Sequence, residues 1–412
     1  MEFTIKQSTL KDELGFIQGV VERKTTIPVL ANILIESIGE KEIRIVGTDL
    51  DCTIRCDAEA EIKETGAMCI QARKLFDIVR ALPAGSDVHF KKEQNEWVTM
   101  KCGNARFKLA GTAREQFPEI PTFKSTPLKM PAETFAQFIQ NTAFAITNEQ
   151  SRFTLSGAKF IIADGVAKMV TTDGHRLAYI EKKVDTGDTK LDTLVPKKAL
   201  LELVKLANAG DQDISFGEDP NHIFFEGEGR LLITRKLSGQ FPNYEMVMPK
   251  DSPNRAVFDL DEMRSAVRRI SLMADERNRS IRVTFRDGEV EVTAQSSEEG
   301  EGAESFPVDY KGEEITLGFN HQYLLEFLNN VGQIEMAAAI SDTDATGGNA
   351  TVRERANADD SSNGAAGTAP AKETRSPMRI AFEFKDSNAA TQMRIDGENA
   401  YDYKYIVMPL RI

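Results

Sequence analysis

Apolar side chains recur along the chain at two periods, and the way these alternate predicts its architecture. Three segments carry the helical period: Leu75/Ile78/Val79/Leu82, Leu200/Leu203/Val204/Ala207 and Leu324/Phe327/Leu328/Val331. Each is an i, i+3, i+4, i+7 stripe. Their first leucines are spaced 125 and 124 residues apart, so one unit is read three times. A second helix precedes each stripe, marked by Leu10/Leu14/Ile17/Val21, by Phe135/Phe138/Ile139 and by Met263/Ala266/Val267/Ile270. Asp259 and Asp261 stand where an N-cap would accept from free amides, and Pro131 fits a first helical turn. Between the helices the period falls to two. Residues 42–46, 281–285 and 289–293 place apolar side chains on one face only, and Arg286-Asp287-Gly288 closes the last pair as a hairpin. Gly227-Glu228-Gly229 lies between two strand patterns with no Lys-Ser/Thr after it, so it reads as a turn and not a phosphate loop. An alternating run from Phe160 to Val170 leads through residues 171–177 into a second run, Leu177 to Ile180, with Asp173-Gly174 as the turn.

The ends of the units repeat too. Phe117-Pro118-Glu119-Ile120-Pro121 answers Phe241-Pro242-Asn243-Tyr244, and Val247-Met248-Pro249 answers Val407-Met408-Pro409. Proline at a strand's end stops the ladder. Boundaries near Ser125 and Ser252 give domains 1–125, 126–252 and 253–412. The expected fold class is α+β, with three tandem domains of two helices over antiparallel sheet. One stretch, about 341–377, is Ser, Thr, Asn, Asp, Gly and Ala with almost no large apolar side chain besides Val352. It cannot bury enough surface to offset ordering entropy, which predicts a disordered insert in the third domain.

Composition narrows the function. The 412 residues are 41% hydrophobic and 28% charged, as expected of a soluble globular protein. No apolar run approaches the roughly 18 residues of a membrane helix, and Met-Glu-Phe-Thr-Ile-Lys has no signal-peptide layout, so the expected location is cytoplasmic. Cys52, Cys56, Cys69 and Cys102 lack paired Cys-x-x-Cys spacing and read as small buried thiols on strands. With His89, His175, His222 and His321 scattered, no metal site and no cofactor is expected. The net charge of −13 argues against an extended nucleic-acid surface but not against a local basic stripe. Arg73, Lys74 and Arg80 flank one helical stripe, Lys197, Lys198 and Lys205 another, and Arg264, Arg268 and Arg269 a third. If the repeats closed into a ring, these helices would share one side and could track duplex DNA through phosphates alone.

Asp173 and His175 invite a catalytic reading, but an Asp-Gly corner is a common turn and no G-x-S-x-G elbow supplies a nucleophile. No catalytic residue is expected. A second set is apolar or small and sits at domain ends: Leu155, Thr172, Gly174, Leu177, Pro242, Val247, Val407, Met408, Pro409 and Leu410, with Ile406 beside them. Such a set suits a groove between domains. Met246 and Met408 can repack around varied peptides, and His175, Arg176 and Arg411 would form the polar rim.

Thr171-Thr172-Asp173-Gly174-His175-Arg176-Leu177 and the terminus Tyr405-Ile406-Val407-Met408-Pro409-Leu410-Arg411-Ile412 together resemble the bacterial DNA sliding clamps, the beta subunits of DNA polymerase III. In that family a T-D-G-H-R-L-A segment and a V-M-P-x-R-[LI] terminus line one peptide pocket. The likeness covers the chain apart from the insert. It implies a ring-shaped homodimer that encircles duplex DNA without sequence preference, tethers the replicative polymerase, and also receives the clamp loader and other proteins bearing clamp-binding peptides. No bond is made or broken. The resemblance places Arg23, Lys24, Glu149 and Phe153 on the DNA face beside Arg73, Lys74, Arg80, Lys197, Lys198, Arg268 and Arg269. It carries the dimer contact onto Arg106, Phe107 and Leu109, opposed by Leu272, Met273, Glu301 and Glu304. Glu245-Met246 departs from the family's basic residues at the pocket rim, and Glu149 is acidic where a neutral residue is usual. Two other readings stay open at this point: a hydrolase using Asp173 and His175, and a repeat-built adaptor that never touches DNA.

Overall fold

In the computed structural model, described residues are 1–22, 26–122, 127–149, 151–187, 189–210, 212–297, 300–331, 378–397 and 399–411. Ser125, Arg23, Lys24 and the 341–377 insert lie outside them. The chain divides into two compact units, Met1–Asp173 with Ala178–Pro242, and Gly174–Leu177 with Asn243–Ile412. Every strand pairing with a described register is antiparallel.

In the first unit the helices are α1 (Gln7–Ile17), α2 (Ala72–Ala81), α3 (Ala132–Thr142) and α4 (Lys197–Ala207). α1 packs on α2 and α3 on α4. Their stripes fall where the period puts them, with small shifts at the ends. α1 stops at Ile17 and Val20, not Val21, is buried. Leu82 caps α2, and Leu206 takes the buried place expected of Val204. Pro131 is the N-cap of α3, one residue before its first turn. The run from Phe160 to Val170 is two strands, Gly157–Ala163 and Val166–Thr172, because Asp164 and Gly165 both adopt positive φ (52° and 72°) and reverse the chain. Gly227 pairs with Arg230 across the Glu228-Gly229 turn, as the sequence indicates.

The first two repeats are fused. Strand Cys52–Glu59 pairs with Arg230–Arg235 in the middle of a nine-stranded sheet, Cys56 opposite Arg230. Arg230 reaches Glu13 of α1 through two 2.8 Å hydrogen bonds and lies 4.9 Å from the Phe16 ring centre. The segment after Phe117 crosses the sheet: Phe117 joins Leu34, Val46 and Cys69, and Ile120 packs both there and on Phe224, Leu231 and Ile233. That cover is why Val46 is buried although Ile43 and Ile45 occupy the helix-facing side of the same strand. Phe135 centres the second core, 5.3 Å from Phe216 and 5.6 Å from Phe225, both edge-on. All four cysteines are buried on strands, and burial pushes the Cys52 thiol up to about 11.

The second unit holds α5 (Leu260–Ile270) and a helix at 321–331. Asp259 caps α5 by accepting from the amides of Asp261 and Glu262, so Asp261 is inside the helix. A four-stranded sheet runs in the order Gly300–Pro307, Glu289–Ser296, Ser280–Arg286, Ile315–Asn320. Asp287-Gly288 forms its hairpin, Arg286 opposite Glu289. Strands Asp402–Val407, Thr391–Ile395, Arg379–Phe384 and Asn254–Asp259 are neighbours in that order. Phe258, Phe285, Phe319, Phe382 and Phe384 fill the space between, and Leu324, Phe327, Leu328 and Val331 are all fully buried.

Candidate functional site: a backbone corner built twice

Strands Val166–Thr172 and Arg176–Lys183 are joined by Asp173, Gly174 and His175. Gly174 takes φ 91°, a conformation glycine adopts without steric cost. In the second unit the C-terminal stretch is tied to this corner: the Met408 N–H donates to the His175 carbonyl at 3.0 Å, and the Leu410 N–H to Gly318 at 2.8 Å. The first unit contains the same device. The Arg235 N–H donates to the Asp51 carbonyl at 2.8 Å and the Leu237 N–H to Leu194 at 3.0 Å. Leu50, Asp51 and Leu194 each precede Gly174, His175 and Gly318 by 124 residues. Leu50 even keeps the left-handed backbone, φ 80°, and is 47% exposed. The repeat of Thr172-Asp173-Gly174 as Thr48-Asp49-Leu50 is the only trace of this corner in the sequence, and with leucine in the glycine position it does not read as a turn.

The two corners differ in what they present. At the second, Met408 follows the strand, 45% exposed, and Met246 (80%) and Val247 are exposed on the same unit. At the first, the position of Met408 is Arg235, and Lys236 after it is paired with Glu218. Both terminal stretches carry a half-buried leucine, Leu237 and Leu410, but the first puts Arg235 where the second puts the exposed Met408.

Several residues named from the sequence sit deeper than a lining role requires. Val407 has no exposed surface, and Ile406, Leu177, Leu155 and Thr172 are buried. Arg176, expected on the rim, is interior. Its guanidinium is bonded to the Glu326 carboxylate, donates to the Tyr405 hydroxyl at 3.3 Å and stacks 4.5 Å from the Tyr323 ring centre. The Tyr405 hydroxyl in turn donates to the Tyr323 carbonyl at 3.0 Å. Burial opposes the Arg176 charge, but Tyr405 and Glu326 outweigh it and hold the guanidinium above its ordinary range. Arg176 therefore fixes the corner from behind. Gly174, His175, Pro242 and Arg411 are exposed, while Pro409 and Leu410 are half-buried.

Among the residues expected to face DNA, Arg73 and Lys74 are exposed in the first turn of α2, and Arg80 in its last turn lies 5.8 Å from the Phe76 ring. Lys197 and Lys198 open α4, with Lys197 2.9 Å from the Asn148 side chain and Lys198 bonded to Asp49. Glu149 pairs with Arg152 at 3.2 Å, and Phe153 is exposed. Arg268 and Arg269 close α5. Arg269 is bonded to Glu304 (2.8 Å from Nε), which joins a residue assigned to the DNA face with one assigned to the dimer contact. Arg106, Phe107 and Leu109 lie on Ala105–Leu109, the edge strand of a five-stranded sheet. Glu301 and Glu304 lie on Gly300–Pro307, the edge of the four-stranded one. Leu272 is 73% exposed just after α5, and Met273 is half-buried beside it. Among the described residues no cluster could hold a metal ion, and no helix is long and apolar enough to cross a membrane.

Family models for the DNA polymerase III beta subunit match residues 1–121 (N-terminal domain), 129–243 (central domain) and 245–347 (C-terminal domain). The chain belongs to the DNA polymerase III beta subunit family. The beta sliding clamp of Chlamydia pneumoniae is 32% identical over 347 residues, 83% of this chain and 93% of that protein. That of Pseudomonas putida is 31% identical over 367 residues, 88% and 98% of the two. Among solved structures, the DNA polymerase III subunit beta of Pseudomonas aeruginosa matches with a TM-score of 0.84 and 26% identity, covering 100% of both chains. Caulobacter crescentus pol III beta matches at 0.83 and 27%, again over 100% of both. The three-domain clamp fold and the function expected from the sequence follow. The chain is a DNA polymerase processivity factor, a sliding clamp of DNA replication that is not itself an enzyme. The hydrolase and the DNA-free adaptor are set aside. In general terms its assembly is a ring homodimer, and its partners are DNA and a polymerase.

Proposed function

We propose that the corner of the second unit, Gly174 and His175 with Met246, Val247 and Met408 to Arg411, receives clamp-binding peptides of the replicative polymerase, the clamp loader and other partners in the cytoplasm. The observation that carries this is the exposed Met408 on a backbone tied at Met408 and Leu410, in a unit that also exposes Met246 and Val247. An apolar anchor seated among flexible thioethers gains burial without demanding one side-chain shape. The basic residues of α2, α4 and α5 serve duplex DNA by phosphate contact alone. The two edge strands, Ala105–Leu109 and Gly300–Pro307, meet across the dimer with Leu272 and Met273 at the centre. Domain limits of 1–125, 126–252 and 253–412 go with this reading.

Fully burying a methionine is worth about 1.5–3 kcal/mol. Binding can remove only what is exposed, 80% of Met246 and 45% of Met408, so the pair is worth about 2–4 kcal/mol. Met246→Ala with Met408→Ala should therefore weaken a polymerase-tail peptide by about 30-fold or more in a calorimeter, with the dimer intact. Unchanged affinity removes the assignment.

A further inference from the structure

A trench of about 730 Å³ lies on one face of the four-stranded sheet in the second unit. Along Ser280–Arg286, Ile281, Val283 and Phe285 face the core, so Arg282, Thr284 and Arg286 share the opposite face, where Thr284 is buried and Arg282 is exposed. Thr284 meets Thr316 on the next strand, hydroxyl to hydroxyl at 3.0 Å. Thr293, Ser387, Asn388, Leu410 and Arg411 line the rest, with Glu314. The nearby carboxylates of Glu314 and Glu291 are both bonded to Arg286, at 3.1 and 3.0 Å. Arg282 and Arg411 are exposed and make no ion pair among the described residues. In a chain of net charge −13 this is a locally cationic surface supplied with hydroxyl donors.

The trench also continues from the corner. Arg282 stands opposite Gly318, whose carbonyl accepts the Leu410 N–H, and Arg411 follows directly. We infer that the trench binds carboxylate side chains of a partner peptide, on the residues flanking the segment held at the corner. This rests on the peptide reading of that corner. Guanidinium groups hold carboxylates through paired N–H donors, and the Ser387 hydroxyl can donate beside them. A phosphodiester has the same charge. The acidic peptide is favoured because the sheet face carrying the trench is opposite the apolar face on which α5 packs, and because the trench starts where the corner ends. Three added residues span about 10 Å, the extended length of the three-residue step from Met408 to Arg411.

The test uses the full-length dimer and four fluorescent probes: acetyl-Leu-Ser-Leu-Phe-amide, the same peptide extended by three glutamates at its N-terminal end, the same extended at its C-terminal end, and a five-nucleotide oligothymidylate. One of the extended peptides should bind about three- to tenfold tighter than the plain one at low salt, as two exposed ion pairs allow. Arg282→Glu should abolish that advantage and leave the plain peptide unaffected, and about 0.5 M salt should erase it in the wild type. Equal binding of plain and extended peptides overturns the trench while the corner stands. Binding of extended but not plain peptide overturns the corner and keeps the trench. Binding of neither overturns both, and oligothymidylate binding that Arg282→Glu removes, without a gain from glutamate, assigns the trench to nucleic acid instead.

Discussion

Replacing Arg176 by alanine separates a structural role for this residue from a peptide-contacting one. The guanidinium side chain is only 7% exposed, while its partner Glu326 is 42% exposed. Removing it leaves Glu326 solvated, so no buried unpaired charge remains, and the Tyr405 hydroxyl keeps its bond to Tyr323. The losses are the charged hydrogen bond to Tyr405, about 1.5–3 kcal/mol, the stacking on Tyr323, about 0.5–1 kcal/mol, and a half-exposed ion pair worth under about 1 kcal/mol. Their sum, discounted for relaxation, is about 2–4 kcal/mol, a drop of roughly 4–16 °C in melting temperature for a unit of this size. Urea titration followed by hydrogen exchange at residues 402–407 should show the loss localised to the second unit, with Arg176→Lys recovering only part of it. A variant that keeps wild-type stability yet loses peptide affinity would refute the interior role and return Arg176 to the rim.

Three further outcomes are expected. Leu50→Gly should raise stability by about 0.5–1 kcal/mol, since a non-glycine residue at φ 80° is strained, and Leu50→Val should lower it, both by urea midpoint. Glu2 is held by Lys63 and Lys91 with its carboxyl lowered from 4.5 to about 2. It therefore adds stability above pH of about 4.5 that is lost as pH falls towards about 2, and Glu2→Gln should flatten this acid limb of the stability curve. Leu272→Ala with Met273→Ala should shift sedimentation at micromolar concentration towards monomer, and a wholly dimeric variant would place the interface elsewhere.

What the sequence revealed followed the reach of each signal. Helical stripes are legible because one face of each helix is buried, so four residues suffice to show the period; Val21 and Leu82 depart from it at helix ends, where fraying and capping intervene, and Val204 departs inside α4, where Leu206 is buried instead. The turns at Asp173-Gly174, Glu228-Gly229 and Asp287-Gly288 are marked by residues that accept positive φ, but the Asp164-Gly165 turn is hidden inside a run whose alternation continues on both sides of it. The fusion of the first two repeats was not legible, because nothing in Cys52–Glu59 says which strand lies along its free edge. Val46 was misjudged for the same reason: its cover, Phe117 and Ile120, comes from some 70 residues later. At the site, the motif located the corner but not the depth of its members. Arg176 reads as a surface residue until Tyr323 and Glu326, about 150 residues away, are brought against it.

A leucine holding the same left-handed backbone that its counterpart gives to glycine says something about rigidity. If residue preference shaped the corner, Leu50 would relax it; the backbone ties from Arg235 and Leu237 impose the conformation instead. The second corner, tied in the same way through Met408 and Leu410, is by that reasoning preformed before any ligand arrives. A guest there meets a surface that need not be ordered first, so little of its binding energy is lost to loop entropy. Under the proposed function, peptides of only a few residues would then be held there without first having to order the surface that receives them.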